Sequence, residues 1–144
     1  MQEFLDYLTP FLTLLGAVAL AFPIGWNRER HGDTMGVRTF PLVAVGSCAY
    51  VLIAEQFIGP EHSPDAMARV LQGLMTGIGF VGGGAILKHD DRVSGTATAA
   101  SIWVVGAIGA AVGLGYWNHA ISLAIMNFLV VTVFAKFKER SDRK

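Results

Sequence analysis

Arg28 and Glu29, with Arg38 and Thr39 ten residues later, put two guanidiniums, a carboxylate and a hydroxyl beside apolar segments, and Thr98 adds a hydroxyl in an equivalent setting. Such groups either hold an ion or anionic group or anchor helix ends at a polar boundary. Glu55, Asp65, Arg69 and Gln72 form a second set. Asp65 and Arg69 are spaced to pair at i,i+4 on one helix face. With Glu55 reaching across from another helix, the set reads as a structural clamp or a binding site. His31, His62, His89 and His119 have no i,i+4 partner, and His89-Asp90-Asp91 is a weak lure for a divalent cation. No Ser/His/Asp or Cys/His constellation and no phosphate-binding loop motif is present. The expectation is a protein that is not an enzyme, with no cofactor and no committed metal site.

The elements that must position these groups are apolar. Charged residues are 15% of the 144-residue chain, against about 25% in soluble domains. Apolar residues are 53%, and eleven basic residues cancel eleven acidic ones. That excludes a disordered chain and argues against a nucleic-acid partner, which calls for a basic excess. The single cysteine, Cys48, excludes an intrachain disulfide. Residues 8–24, 39–58, 70–87, 97–115 and 119–137 are five apolar segments near the ~20 residues that cross a bilayer core as helix. They do not alternate as barrel strands do. The chain therefore reads as an all-α, polytopic membrane helical bundle with the lipid bilayer as its surroundings. Residues 1–137 form the membrane domain and 138–144 a basic tail. Ser63-Pro64-Asp65 has the chemistry of a helix start, so the third helix is expected to begin before its apolar run.

Charge sets the orientation. With five spans, ten of the eleven basic residues fall on one side and Arg69 alone on the other. The positive-inside rule makes the basic side cytoplasmic, giving an outer N-terminus and an inner C-terminus. Arg28 and Glu29, expected just after the first helix, then meet Arg38, Thr39 and Thr98 at the cytoplasmic boundary.

Glycine is dense in two spans: Gly73, Gly77, Gly79, Gly82, Gly83 and Gly84 in the third; Gly106, Gly109 and Gly113 in the fourth. The pairs Gly73/Gly77, Gly79/Gly83 and Gly109/Gly113 are small-xxx-small motifs, which let membrane helices approach closely. Trp103 and mid-span Asn127 belong with this packing set, the latter bonding another helix or a second copy. Gly82–Gly84 has a sharper alternative, an unwound helix end that holds ions on exposed backbone groups.

Three stretches carry a resemblance: Ile24-Gly25-Trp26-Asn27-Arg28-Glu29 leading to Gly36-Val37-Arg38-Thr39; Arg69 followed by Gly77-Ile78-Gly79-Phe80-Val81-Gly82-Gly83-Gly84-Ala85-Ile86; and Gly95-Thr96-Ala97-Thr98-Ala99-Ala100-Ser101-Ile102-Trp103. In order and spacing they are similar to the membrane domain of the MgtC/SapB family of bacterial inner-membrane proteins. Asn27 departs from that pattern, which has an acid there, and Thr96 and Ala97 depart while Thr98 matches. The resemblance implies a short form, without the C-terminal soluble domain of ACT-like fold that many members carry. It also implies a role in growth under magnesium limitation and, in pathogens, in survival inside host cells. It further implies modulation of other membrane proteins, including the F-type ATP synthase.

Two functions follow as expectations. One is an interaction protein whose glycine faces dock partner helices or a second copy as a homodimer, with Gly83→Leu or Gly109→Leu abolishing association. The other is a magnesium or proton transporter working as a dimer through the inner polar cluster.

Overall fold

The computed structural model describes residues 2–32, 35–58, 64–89 and 92–134. Five helices account for most of it: α1 (Gln2–Arg30), α2 (Thr39–Ile58), α3 (Pro64–Gly83), α4 (Thr96–Gly113) and α5 (Trp117–Leu129), the last continued by a π-helical turn over Val130–Phe134. A short antiparallel hairpin, β1 (Leu87–His89) and β2 (Arg92–Ser94), joins α3 to α4. The fold is the expected all-α bundle.

α1 is longer than its apolar run. Its 29 residues span about 44 Å at 1.5 Å per residue, more than the ~30 Å hydrocarbon core. Apolar patterning marks only a lipid-crossing part, whereas the helical hydrogen-bond ladder runs on wherever the backbone allows. Pro10 and Pro23 sit inside it. Thr9 and Thr13 donate their hydroxyls to the carbonyls of Leu5 and Thr9, at 2.8 and 2.9 Å, which keeps them satisfied where water is scarce.

α4 is the central helix. It packs against α1, α2, α3 and α5, and eleven of its eighteen residues are buried. Around it lie Ala17, Ala21 and Ile24 of α1, Phe40, Ala44 and Cys48 of α2, and Ala120 and Ala124 of α5. Among the described residues, α3 gives this core only Ile78, with Leu74 packed at its edge. The α4–α5 turn is tight. Leu114, Gly115 and Tyr116 donate N–H groups back to Ala110, Val112 and Ala111, and Gly115 adopts φ +73°, a conformation that glycine takes without steric cost.

Among the described residues, four helical stretches are long and apolar enough to cross a membrane: Phe4–Arg30, Thr39–Ile58, Thr96–Gly113 and Trp117–Phe134. α3 is not among them. It has the length, with 20 residues, but it carries Asp65, Arg69 and Gln72 and replaces bulk with glycine. It does start at Pro64, ahead of its apolar run, with Asp65 in its first turn. Ser63, read as the cap, lies outside the described residues, as do Asp90 and Asp91 of the weak cation motif and the whole basic tail.

Candidate functional site

The inner polar residues do not share one place. Arg28 and Glu29 stand in the last turn of α1 rather than after it. Arg28 is 9% exposed and lines a groove between α4 and α5 together with Ser101 and Asn127. Glu29 faces the connection to α2, where its Oε2 accepts the N–H of Val37 at 2.8 Å. Neighbouring residues on a helix point about 100° apart, so Arg28 and Glu29 serve different surroundings. Arg38 is exposed. Thr39 lines a second groove, between α2 and α3. Thr98 is buried, and its hydroxyl has no hydrogen-bond partner among the described residues.

The outer set is looser. Glu55 is half-buried on α2, while Asp65, Arg69 and Gln72 are exposed on α3. Arg69 lines the α2–α3 groove, a space of about 710 Å³. One turn below Gln72, the Thr76 hydroxyl donates to its carbonyl at 2.9 Å.

The glycines divide sharply. On α4, a side chain at Gly106 would run into Ile78 of α3, and one at Gly109 into the backbone of Ala44 on α2. At Gly113 it would meet Val51 Cβ at 2.8 Å and the Cys48 carbonyl oxygen at 2.9 Å. On α3, Gly82 is the counterpart, where a side chain would start 3.2 Å from the Ala99 carbonyl oxygen. Among the described residues, and apart from their own helix backbone, Gly73, Gly77, Gly79 and Gly83 have no atom within 4 Å of where a side chain would start. Gly46 of α2, across the groove from Gly73 and Gly77, is equally open. Gly82–Gly84 closes α3 with a turn, Gly84, Ala85 and Ile86 donating to Phe80, Gly82 and Gly83. The helix thus runs to Gly83 and ends in this turn. Trp103 is half-exposed on α4 beside Leu71 and Met75 of α3.

Asn127 bonds another helix of the same chain. The Ser101 hydroxyl donates to Asn127 Oδ1 at 3.0 Å, and Asn127 Nδ2 donates to the Ser101 carbonyl at 3.4 Å. Such buried polar pairs hold membrane helices in register. Ser101, one turn after Thr98, joins the site only in the folded chain, as does the close approach at Gly25, where a side chain would meet the Gly36 carbonyl oxygen at 2.8 Å. Spacing gave a signal for neither, because the partner stands on another helix or beyond a loop.

Residues 14–140 match the family model described as the MgtC family. The chain is 36% identical over 143 residues to Protein SrpB of Synechococcus elongatus, with 92% of this chain and 79% of SrpB covered. It is 34% identical over 135 residues to the putative magnesium transporter YhiD of Escherichia coli K12, with 91% and 62% covered. It is 33% identical over 126 residues to Protein MgtC of Salmonella typhimurium, with 88% and 52% covered. The chain thus spans less than two thirds of YhiD and about half of MgtC. No solved structure matches it.

Proposed function

The chain belongs to the MgtC family of membrane proteins, and from that membership we propose that it is a non-catalytic inner-membrane protein that modulates partner membrane proteins through the outward face of α3. Adaptation to low magnesium or to a host cell is the setting in which it acts. The observation that carries this reading is the open space over Gly73, Gly77, Gly79 and Gly83. Bare backbone is of little use facing lipid, yet it is what a closely approaching helix needs. Arg69, Gln72 and Thr76 lie on the same exposed side and gain a polar environment when that side is covered. The occupant is a second copy or a partner's transmembrane helix, the F-type ATP synthase being the first candidate.

In this arrangement α3 is the third of five spans, with the N-terminus outside and the C-terminus inside. A reporter fused after Lys144 is expected to be active in the cytoplasm only. Periplasmic activity would overturn the orientation. Affinity capture from native membranes, with Gly77→Leu as comparison, tests the function. Substituted protein that keeps its full set of captured partners would refute the α3 face as the docking side.

The name of YhiD favours a second reading, transport of magnesium. Flux into liposomes above that of empty liposomes would support it.

A further inference from the structure

α3 packs on the bundle by one side, Ile78 and Gly82 being its buried residues. On the other side Asp65, Arg69, Gly73 and Gly77 follow each other at four-residue steps, all exposed. Residues four apart on a helix are neighbours along one ridge. From the helix start, that ridge presents a carboxylate, a guanidinium and then two stretches of bare backbone. Asp65 and Arg69 are spaced to pair with each other along it, yet among the described residues neither has an ion-pair partner. Thr76 and Phe80 flank the glycines, Phe80 being 86% exposed.

Such a ridge is complementary to itself. Copies inserted in one orientation are related by a two-fold axis along the membrane normal, so their α3 helices run parallel and each ridge faces its own duplicate. Small residues four apart let two such helices cross closely in the right-handed manner, at about −40°. With the crossing at Gly73 and Gly77, the two axes part toward the helix start. Side chains lean toward the N-terminus of their helix, so Arg69 reaches for the level of Asp65, about 6 Å away at 1.5 Å per residue. Its long side chain spans the widening gap. Each guanidinium then meets the partner's Asp65, and symmetry makes both pairs at once. Phe80 leans the same way, toward the partner's Gly77, where missing side chains leave it room. A helix of another protein would have to bring both an acid for Arg69 and a cation for Asp65 at matching spacing. A second α3 brings them by identity.

Resting on the reading of the α3 face as the docking side, we propose that its occupant is a second copy of this chain, with Gly73 and Gly77 at the crossing and Arg69 of each copy paired to the partner's Asp65. Differently tagged copies carrying Thr76→Cys, crosslinked in membranes with a short bismaleimide, test it. Cys48 is fully buried, and chains without Thr76→Cys serve as the blank. A mixed-tag dimer is expected. Arg69→Asp in both copies, or Asp65→Arg in both, sets like charges across the axis, and the yield is expected to fall about tenfold. Arg69→Asp in one copy and Asp65→Arg in the other keeps one Arg69–Asp65 pair and is expected to restore most of the yield. A role for either charge within a single chain would give no such recovery. Should a charge reversal fail to fold, Arg69→Gln and Asp65→Asn replace the two, with a fall of about threefold and the same recovery. No mixed-tag product, equal yield in the like-charge pairs, or no recovery in the mixed pair overturns the proposal. A product with a different protein in place of a second copy overturns it as well. Capture with Gly77→Leu tests the docking side whatever its occupant, so partners lost there, with no mixed-tag product here, would refute the second copy alone.

Discussion

α3 and α4 use the same residue for opposite ends. Both repeat glycine at helical spacing, and either stripe alone reads as a packing motif. On α4 the glycines are buried in contacts the chain makes with itself: Gly106 under Ile78, Gly109 on Ala44, Gly113 on Cys48 and Val51. On α3, Gly82 alone of the helix's glycines does this, and Gly73, Gly77, Gly79 and Gly83 face outward over open space. A small-xxx-small pattern therefore says that something approaches closely, but not whether it is the chain's own helix or another's. Gly109→Leu, attractive from sequence as a probe of association, is a probe of folding.

The contrast breaks most visibly at Gly109. Gly109→Leu forces a side chain into the Ala44 backbone, and overpacking of this kind costs about 1–3 kcal/mol or more. Loss of folded protein is expected, measured as thermal unfolding in detergent. A fully stable Gly109→Leu chain would mean that α2 and α4 do not meet there.

Gly77→Leu should do the reverse. Stability is expected to stay within about 0.5 kcal/mol, because no neighbour among the described residues lies within 4 Å of an added side chain. Crosslinking yield in membranes is expected to fall about tenfold, roughly 1.4 kcal/mol of association. Unchanged crosslinking would leave α3 a lipid-facing helix.

Asn127→Leu sharpens the comparison from a neighbouring interface, since α4 meets α5 through a polar pair instead of glycine. Removing one membrane hydrogen-bonding side chain costs about 0.6–1.7 kcal/mol. Ser101→Ala should give a similar loss, and the double substitution less than the sum, as unfolding of the three variants would reveal.

The smallest expected effect separates the helices most cleanly. Gly73→Ala should be neutral or stabilising by up to about 1 kcal/mol, since alanine favours helix and the site is open. Gly106→Ala should destabilise, because its added carbon meets the Ile78 side chain. The two melting shifts are expected to have opposite signs.

Much of this protein was legible as residues in a line. Apolar length gave the helices, because a backbone in hydrocarbon must satisfy its own hydrogen bonds. Charge placement gave an expected orientation, and polar residues at the ends of apolar runs gave candidate groups. Resemblance in three short stretches pointed to the family that the comparisons show. Helix ends were less legible: α1 runs on through Arg28 and Glu29, since hydropathy sees lipid and not hydrogen bonds.

Tertiary structure alone decided which groups share a place. Arg28 turns to Ser101 and Asn127 across the α4–α5 groove, while Thr39 lines the groove on the other side of α2. It also decided that α4 sits in the middle and α3 at the edge. The reason is geometric. Sequence periodicity fixes the direction of a side chain relative to its own helix axis, and the rotation of that axis among its neighbours comes only from packing them.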